Sequence, residues 1–401
     1  MTISPSLVEQ ARAVLRQNLV VTADGHRYIR PAPMTYEQQW LWDSCFHAIV
    51  NTRLDPALAK DEIEALLAHQ MTDGPDAGMV PHMTYWDGGG EALWGRSDRS
   101  TITQPPVIAY AVERVFAATD DVAFVRRVFP ALRAYHAWWW RRRDPDRDNL
   151  VSAIHPWETG WDAAPAWDGP MGLNAPSDVE SRRARMALVA VLAQLDYDIE
   201  RVQAAGLFNV ESCDLNALLQ RSLVSMARLS EALALDDDAR VYQQQADAVA
   251  AAIQARCWDE ASGVYRDLAG RDEVPLPEFT ATTFVPLFAG IPTPTQAARL
   301  VARLTNPAQF WPAYPIPTVA LSEPLFAPDR YWRGPGWVHL NWLLFHGLLR
   351  YRYTDIAHDL AARTFAMVEA AGFWEYYNPF SGAGLGAHPQ SWTTLVLDCV
   401  G

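Results

Sequence analysis

Apolar residues recur along the whole chain at the three-and-four spacing of a helix that buries one face. Leu7, Ala11, Val14 and Leu15 mark the first such face, and Leu58, Ile63, Leu66 and Leu67 another. Val122, Val125, Phe129 and Leu132 share a face that runs into Trp138–Trp140. The period continues through Leu219, Leu223, Met226, Leu229 and Leu233, through Val241, Val249 and Ile253, and through Ile356, Leu360 and Phe365. Weaker helical stretches fall near 40–52, 102–117, 177–205, 280–289, 294–304, 336–351 and 391–399, which brings the total to about a dozen helices. Alternation of the strand type is scarce. Some helices follow one another closely, with Asp-Asp-Asp-Ala at 236–239 predicted as a capping turn between two of them. Others are separated by long stretches rich in Pro, Gly and aromatics at 72–101, 144–176, 259–279, 305–334 and 372–390. Loops of that length in compact domains usually carry function. Alternating short and long links suit a ring of antiparallel helix pairs with every long link at one end. The predicted architecture is therefore all-α, a single toroid of helix pairs rather than several domains.

Composition narrows the partners. The chain has 401 residues with 33 Lys+Arg against 47 Asp+Glu, a formal charge of −14. Such a surface repels nucleic acid and anionic membranes, so neither is an expected partner. The four cysteines form no Cys-x-x-Cys pair, the start shows no signal-peptide pattern, and no apolar run approaches a membrane span, so a cytoplasmic protein is expected. No metal cluster, nucleotide loop or serine-hydrolase elbow is legible, and no cofactor is predicted. Seventeen Trp is a large surplus for this length, and stacking on sugar faces is its commonest use.

The long loops hold the unusual residues. Trp157-Glu-Thr-Gly-Trp-Asp162 through Asp168 packs three carboxylates and three Trp into 12 residues. A carboxyl group walled by indoles loses solvation, so its pKa rises and it becomes a proton donor near neutrality. The competing reading is that Glu158 or Asp162 caps a helix or satisfies loop amides. Glu375 stands among Trp374, Tyr376 and Tyr377, and its competing reading is a structural pair with an arginine. Two such acids at one mouth are what glycoside hydrolysis requires. Further aromatic and polar clusters open helices at Tyr36–Asp43, Gln104, Tyr331–Trp337 and Gln390–Trp392.

These clusters, in this order from Tyr36 to Trp392, resemble family 63 of the glycoside hydrolases, and most of all its short bacterial mannosylglycerate and glucosylglycerate hydrolase branch. The resemblance is carried by QWLWDSCFHAI (39–49), WETGWDAAPAWD (157–168), YWRGPGWVHLNWLL (331–344) and EYYNPFSGAG (375–384). It implies a single all-α (α/α)6 barrel over residues 1–401 and an inverting mechanism on α-glucosides or α-mannosides, with Asp162 as general acid and Glu375 as general base. It also implies a sugar pocket lined by Tyr36, Trp40, Trp42, Asp43, Gln104, Trp157, Gly160, Tyr331, Trp332, Trp337 and Gln390. Gly334 would bring backbone close to the sugar, and Tyr85 would belong to a loop closing over it. The branch uses an arginine after the acid loop to hold the glycerate carboxylate. Arg182, Arg183 and Arg185 are the candidates, with Arg185 preferred. The sequence departs from the branch at Ala163-Ala164-Pro165, where an Asn-Ser-Pro-like run is usual. Rival readings are a trehalase-like α,α-glucosidase, an epimerase on the same barrel and a non-catalytic sugar-binding helical module. The oligomeric state stays open, a homo-oligomer included.

Overall fold

The structure, a computed structural model, describes residues 3–400. Its principal helices are α1 (Pro5–Asn18), α2 (Leu41–Leu54), α3 (Pro56–Ala68), α4 (Ile108–Thr119), α5 (Val122–Arg143) and α6 (Asp178–Gln194). They continue with α7 (Cys213–Ala232), α8 (Asp236–Ala252), the one-turn α9 (Pro286–Ala289), α10 (Pro294–Leu304), α11 (Val338–Arg350) and α12 (Thr354–Ala371). The chain closes with a 3-10 helix, Ser391–Asp398.

Six of these elements form a closed ring. α2 packs on α4, α4 on α7, α7 on α9, α9 on α11, α11 on the final 3-10 helix, and that helix on α2. A second layer covers the first, with α3 on α2, α5 on α4, α8 on α7, α12 on α11 and α1 on the final 3-10 helix. This is the (α/α)6 barrel. Chemistry follows the layering. The inner α2 is buried on every side from Leu41 to Asn51, as a helix enclosed by others must be. The outer α1 buries one stripe, Leu7, Ala11, Val14 and Leu15. No helix among the described residues is long and apolar enough to cross a membrane.

Side-chain caps start several helices. Asp55 accepts the amides of Ala57 and Leu58 ahead of α3, and Asp121 accepts that of Phe124 ahead of α5. Ser177 and Glu180 close a reciprocal capping box at the start of α6. The run at 236–239 behaves differently from expectation. Asp236, Asp237 and Asp238 form the first turn of α8 itself, where their charges oppose the helix dipole, and Leu235 is an N-cap without a side-chain bond. The stretch 177–205 divides into α6 and a short helix, Ile199–Ala204, while 280–289 begins as a 3-10 turn, Ala281–Phe284, before α9. Strands are ladders of two or three residues that fasten the long links.

Candidate active site

Three of the long links, 144–176, 305–334 and 372–390, meet the segment before α2 and the starts of several inner helices at a cavity of about 370 Å³. Its wall contains Pro31, Tyr36, Trp40, Trp42, Asp43, Gln104, Gly160, Asp162, Tyr331, Trp332, Glu375, Gln390 and Trp392. The placement follows from the ring: Trp40 and Trp42 begin α2, Gln104 precedes α4, Trp332 precedes α11, and Gln390 caps the final 3-10 helix.

The three carboxylates of the acid loop separate cleanly. Glu158 is fully buried and occupied. It pairs with Arg143 at 2.8 Å and accepts the amides of Ile154 at 2.8 Å and Thr103 at 3.4 Å. Asp168 pairs with Arg333. Only Asp162 opens onto the cavity, enclosed by protein but accepting a hydrogen bond from the Tyr331 hydroxyl at 3.2 Å. The loop that carries it is firmly held. Trp161 donates its indole N–H to Asp214 at 2.6 Å. His155 donates to the Arg185 carbonyl oxygen at 3.0 Å through Nε2 and accepts the Trp157 amide at 3.1 Å through Nδ1.

Glu375, 3 % exposed, meets no arginine among the described residues. One of its oxygens accepts the Tyr36 hydroxyl at 2.8 Å and the other the Ala387 amide at 2.9 Å. Tyr36 and Tyr331 each donate their one O–H to a carboxylate of the cavity, Tyr36 to Glu375 and Tyr331 to Asp162. Burial pushes both phenols well above their ordinary pKa, and they remain donors.

Burial also pushes the Asp162 carboxyl up to about 6, against the opposing pull of Arg185 and Tyr331. It pushes Glu375 up to about 7, opposed by the Ala387 amide and Tyr36 and reinforced by the charge on Asp162. The two values are close. The division into acid and base therefore rests on where a sugar sits between them, not on the ionisation of the empty cavity. Asp43 is raised as well, by burial first and then by its acidic neighbours.

Aromatic rings fix the wall. Trp332 stacks face to face on Trp337 with centroids 3.9 Å apart, and Trp42 lies against Trp332 and Trp392. Gly160 has φ +79, and a Cβ there would fall 2.4 Å from the Trp42 ring, so that ring owes its position to the missing side chain. The Trp40 indole nitrogen and the Gln390 carbonyl oxygen are buried in the wall without hydrogen-bond partners among the described residues. Capacity of that kind suits a hydroxyl-rich ligand.

A smaller hollow of about 190 Å³ shares Asp162 with the main cavity and is lined by Ala163, Ala164, Trp167, Met171, Ser181 and Arg185 among others. Arg182 and Arg183 face solvent, whereas Arg185 is 7 % exposed. Its guanidinium donates to Ser181 at 2.7 Å and keeps Nε unpartnered among the described residues.

Four expected pocket residues stand elsewhere. Trp337 lies behind Trp332 as its stacking support. Trp157 lies flat against His82, packed on Trp94. Gly334 is demanded by the Ala327 carbonyl oxygen, 2.5 Å from where a Cβ would be, and not by a close approach to the cavity. Tyr85 accepts the Trp94 indole N–H at 3.1 Å and is absent from the cavity wall. Conversely, Pro31 and Trp392 line the wall unassigned by the sequence reading, although Trp392 sat in the Gln390 cluster. Gly386 was also overlooked: a Cβ there would lie 2.4 Å from the Glu375 carboxylate. The glycine-rich run continuing past Gly384 was its signal.

Comparison with known proteins agrees with this geometry. Residues 36–393 match the family model described as the mannosylglycerate hydrolase MGH1-like glycoside hydrolase domain. The mannosylglycerate hydrolase of Thermus thermophilus is 34% identical over 91% of this chain and 94% of its own length. The glucosylglycerate hydrolase of Mycolicibacterium hassiacum is 29% identical over 92% of this chain and 93% of its own. The crystal structure of a GH63 mannosylglycerate hydrolase from Thermus thermophilus in complex with Tris and D-glycerate superposes with a TM-score of 0.88 at 31% identity, covering 97% of this chain and 98% of that one.

Proposed function

The chain belongs to the MGH1-like glycoside hydrolases of family 63, and from that premise we propose that it hydrolyses glucosylglycerate or mannosylglycerate with inversion at the anomeric carbon. Asp162 is the general acid and Glu375 the general base. The observation that carries this reading is the pair of desolvated carboxyls in the wall of one indole-lined cavity, each holding a phenol, Tyr331 on Asp162 and Tyr36 on Glu375. An inverting pair needs roughly 6.5–9.5 Å between its carboxyl groups so that the attacking water fits between them. Glu375 takes a proton from water as its oxygen bonds to the anomeric carbon. Asp162 gives its proton to the glycosidic oxygen as that bond breaks. Asp162 faces Arg185, which puts the leaving group on that side. The guanidinium there supplies a charge-assisted contact for a carboxylate-bearing aglycone.

Trp42, Trp332 and Trp392 shield the sugar from bulk water, while Asp43, Gln104 and Gln390 engage its hydroxyls. The four cysteines are free and buried, as suits a reducing compartment, so the cytoplasm is the proposed location.

The test is a kinetic screen of glucosylglycerate, mannosylglycerate, the uncharged glucosylglycerol and trehalose, with the anomer first released read by NMR. The expected outcome is β-sugar from the glycerate conjugates. Arg185→Gln should lower kcat/KM for those conjugates roughly ten- to hundredfold, the worth of one charge-assisted hydrogen bond, and spare glucosylglycerol. Preferred cleavage of trehalose, which has no carboxylate, would replace the substrate assignment. Release of α-sugar would replace the inverting one.

A further inference from the structure

Behind the acid loop, two buried carboxylates share one hydroxyl. Ser212 is the N-cap of α7, yet its side chain makes no capping bond. It faces two acids instead. Its hydroxyl is hydrogen-bonded to Asp214 and lies 3.0 Å from Asp267, in the link between α8 and α9. Asp214 is 2 % exposed and stands outside the cavity wall, and Ser212 and Asp267 are buried with it. The second Asp214 oxygen accepts the Trp161 indole N–H at 2.6 Å. Asp267 also accepts the Cys213 amide at 2.8 Å and the hydroxyl of Thr282, from the 3-10 turn ahead of α9, at 3.1 Å.

Counting hydrogens places a proton in this pair. A serine has one O–H and donates it once. For both of its contacts to be hydrogen bonds, one carboxyl must donate to Ser212. Asp267 has the donors an ionised carboxylate needs, in Cys213, Thr282 and Ser212. Asp214 is then the acid that keeps its proton, giving it to Ser212 through one oxygen and accepting Trp161 through the other. Burial, and next the charge on Asp267, push the Asp214 carboxyl up to about 7. Burial raises Asp267 as well, against its bonds to Cys213, Ser212 and Thr282.

We propose that Asp214 is a positioning residue for the proton donor, a neutral carboxyl that fixes Trp161 and thereby aims Asp162, the next residue. The inference rests on the reading of Asp162 as general acid. Asp162 is hydrogen-bonded by one other side chain among the described residues, Tyr331, so its direction depends on the backbone that carries it. Trp161 sets that backbone. Its indole is tied to α7 through Asp214, its carbonyl oxygen accepts the Trp167 indole N–H at 2.8 Å, and its ring lies 5.0 Å from that of Trp332 in the cavity wall. A displacement of about 1 Å at a reacting group can cost roughly a hundredfold in rate.

The test compares glucosylglycerate and mannosylglycerate, whose leaving oxygen needs a proton, with α-glucosyl fluoride and α-mannosyl fluoride, whose fluoride leaves without one. Trp161→Phe keeps a ring and removes the N–H, and Asp214→Ala removes the anchor. Each should lower kcat for the glycerate conjugates roughly ten- to hundredfold and leave the fluorides near the wild-type rate. The double variant should be no slower than the slower single one, because both break the same bond. Asp214→Asn should restore the conjugates to near the wild-type rate, with its amide N–H facing Ser212 and its carbonyl oxygen facing Trp161. Where Asp214→Ala fails to fold, Trp161→Phe and Asp214→Asn carry the same comparison. Asp162→Asn is the reference, expected to lose the conjugates and keep the fluorides. If it lost both alike, the general-acid reading would fail and the inference with it. If Asp162→Asn kept the fluorides while Trp161→Phe lost both substrate types alike, or neither, the acid would stand and the positioning role would fall. An Asp214→Asn variant as slow as Trp161→Phe on the conjugates would overturn the neutral carboxyl.

Discussion

At the scale of single residues, the two proposed catalytic carboxyls are built at the expense of stability. Each has a folded pKa raised by burial, to about 6 for Asp162 and about 7 for Glu375, above an ordinary value near 4. A carboxyl raised in the fold contributes stability that is fully present below the unfolded pKa and is lost as pH rises through the folded one. At pH 8 both are ionised in a poorly solvated place. Asp162→Asn and Glu375→Gln should therefore each lower turnover by roughly a hundred- to ten-thousandfold, the usual worth of a positioned acid or base. The same variants should unfold at a higher temperature than wild type at pH 8, by about 3 kcal/mol at most, with the advantage fading by pH 4. Steady-state kinetics and calorimetric melts at the two pH values check both parts. A variant that lost activity and also stability at pH 8 would mark a structural role. The sequence placed these acids among indoles. Composition alone could not separate Asp162 from Glu158 and Asp168, and only the family resemblance singled it out, because the partners that neutralise the other two, Arg143 and Arg333, come from other parts of the chain.

At the scale of elements, α6 shows how a helix outside the inner ring can serve the cavity. Its first turn is held by the Ser177–Glu180 capping box and by Arg330 reaching Asp178, and its second turn carries Arg185 inward. Ser177→Ala removes the cap and should cost about 1 kcal/mol of stability, readable by chemical denaturation. Where the aglycone depends on Arg185, the same change should raise KM for glycerate conjugates more than it changes kcat. The sequence reading passed over the box, although Ser-x-x-Glu at 177–180 has its spacing. Which of three neighbouring arginines turns inward was not legible, since that depends on what α6 packs against. The 3-10 turn ahead of α9 and the final 3-10 helix of the ring were likewise beyond periodicity, which registers an apolar face but not the tightness of the turn.

At the scale of the molecule, the ring is closed by its two ends and pinned at one carboxylate. Asp398, on the final 3-10 helix, accepts two hydrogen bonds from Arg114 of α4 at 2.9 and 3.0 Å. It also receives Arg53 of α2 at 3.2 Å, and Trp342 and His346 of α11 at 2.9 and 3.2 Å. Four inner elements thus meet at one side chain. Burial raises its pKa, but the hydrogen bonds and charges of His346 and Arg114 outweigh that and hold it far below the usual carboxylate range. A carboxyl depressed in the fold contributes stability present above its unfolded pKa and lost as pH falls through the folded one. Asp398→Ala should therefore cost about 3–5 kcal/mol at pH 7, because it strands Arg114 beside an empty buried site. The loss should begin to shrink only below about pH 4, where the unfolded carboxyl takes up protons, and should fall steadily as pH drops toward the much lower folded value. Urea titrations at pH 7 and about pH 2.5 would show it, and an equal loss at both would assign Asp398 a packing role alone.

The order of apolar and polar residues by itself determined that this chain forms helices in pairs with long links between them, because a 3.6-residue period and its interruptions are local properties of a polymer. Motifs in those links were enough to name a family of enzymes and two acids. Only the tertiary structure decided which carboxylates stay unpaired, which arginine faces the acid, and which tryptophans touch the cavity rather than brace it. Each of these depends on a neighbour supplied by a remote part of the chain, and desolvation and charge pairing act on neighbours in space whatever their separation in sequence.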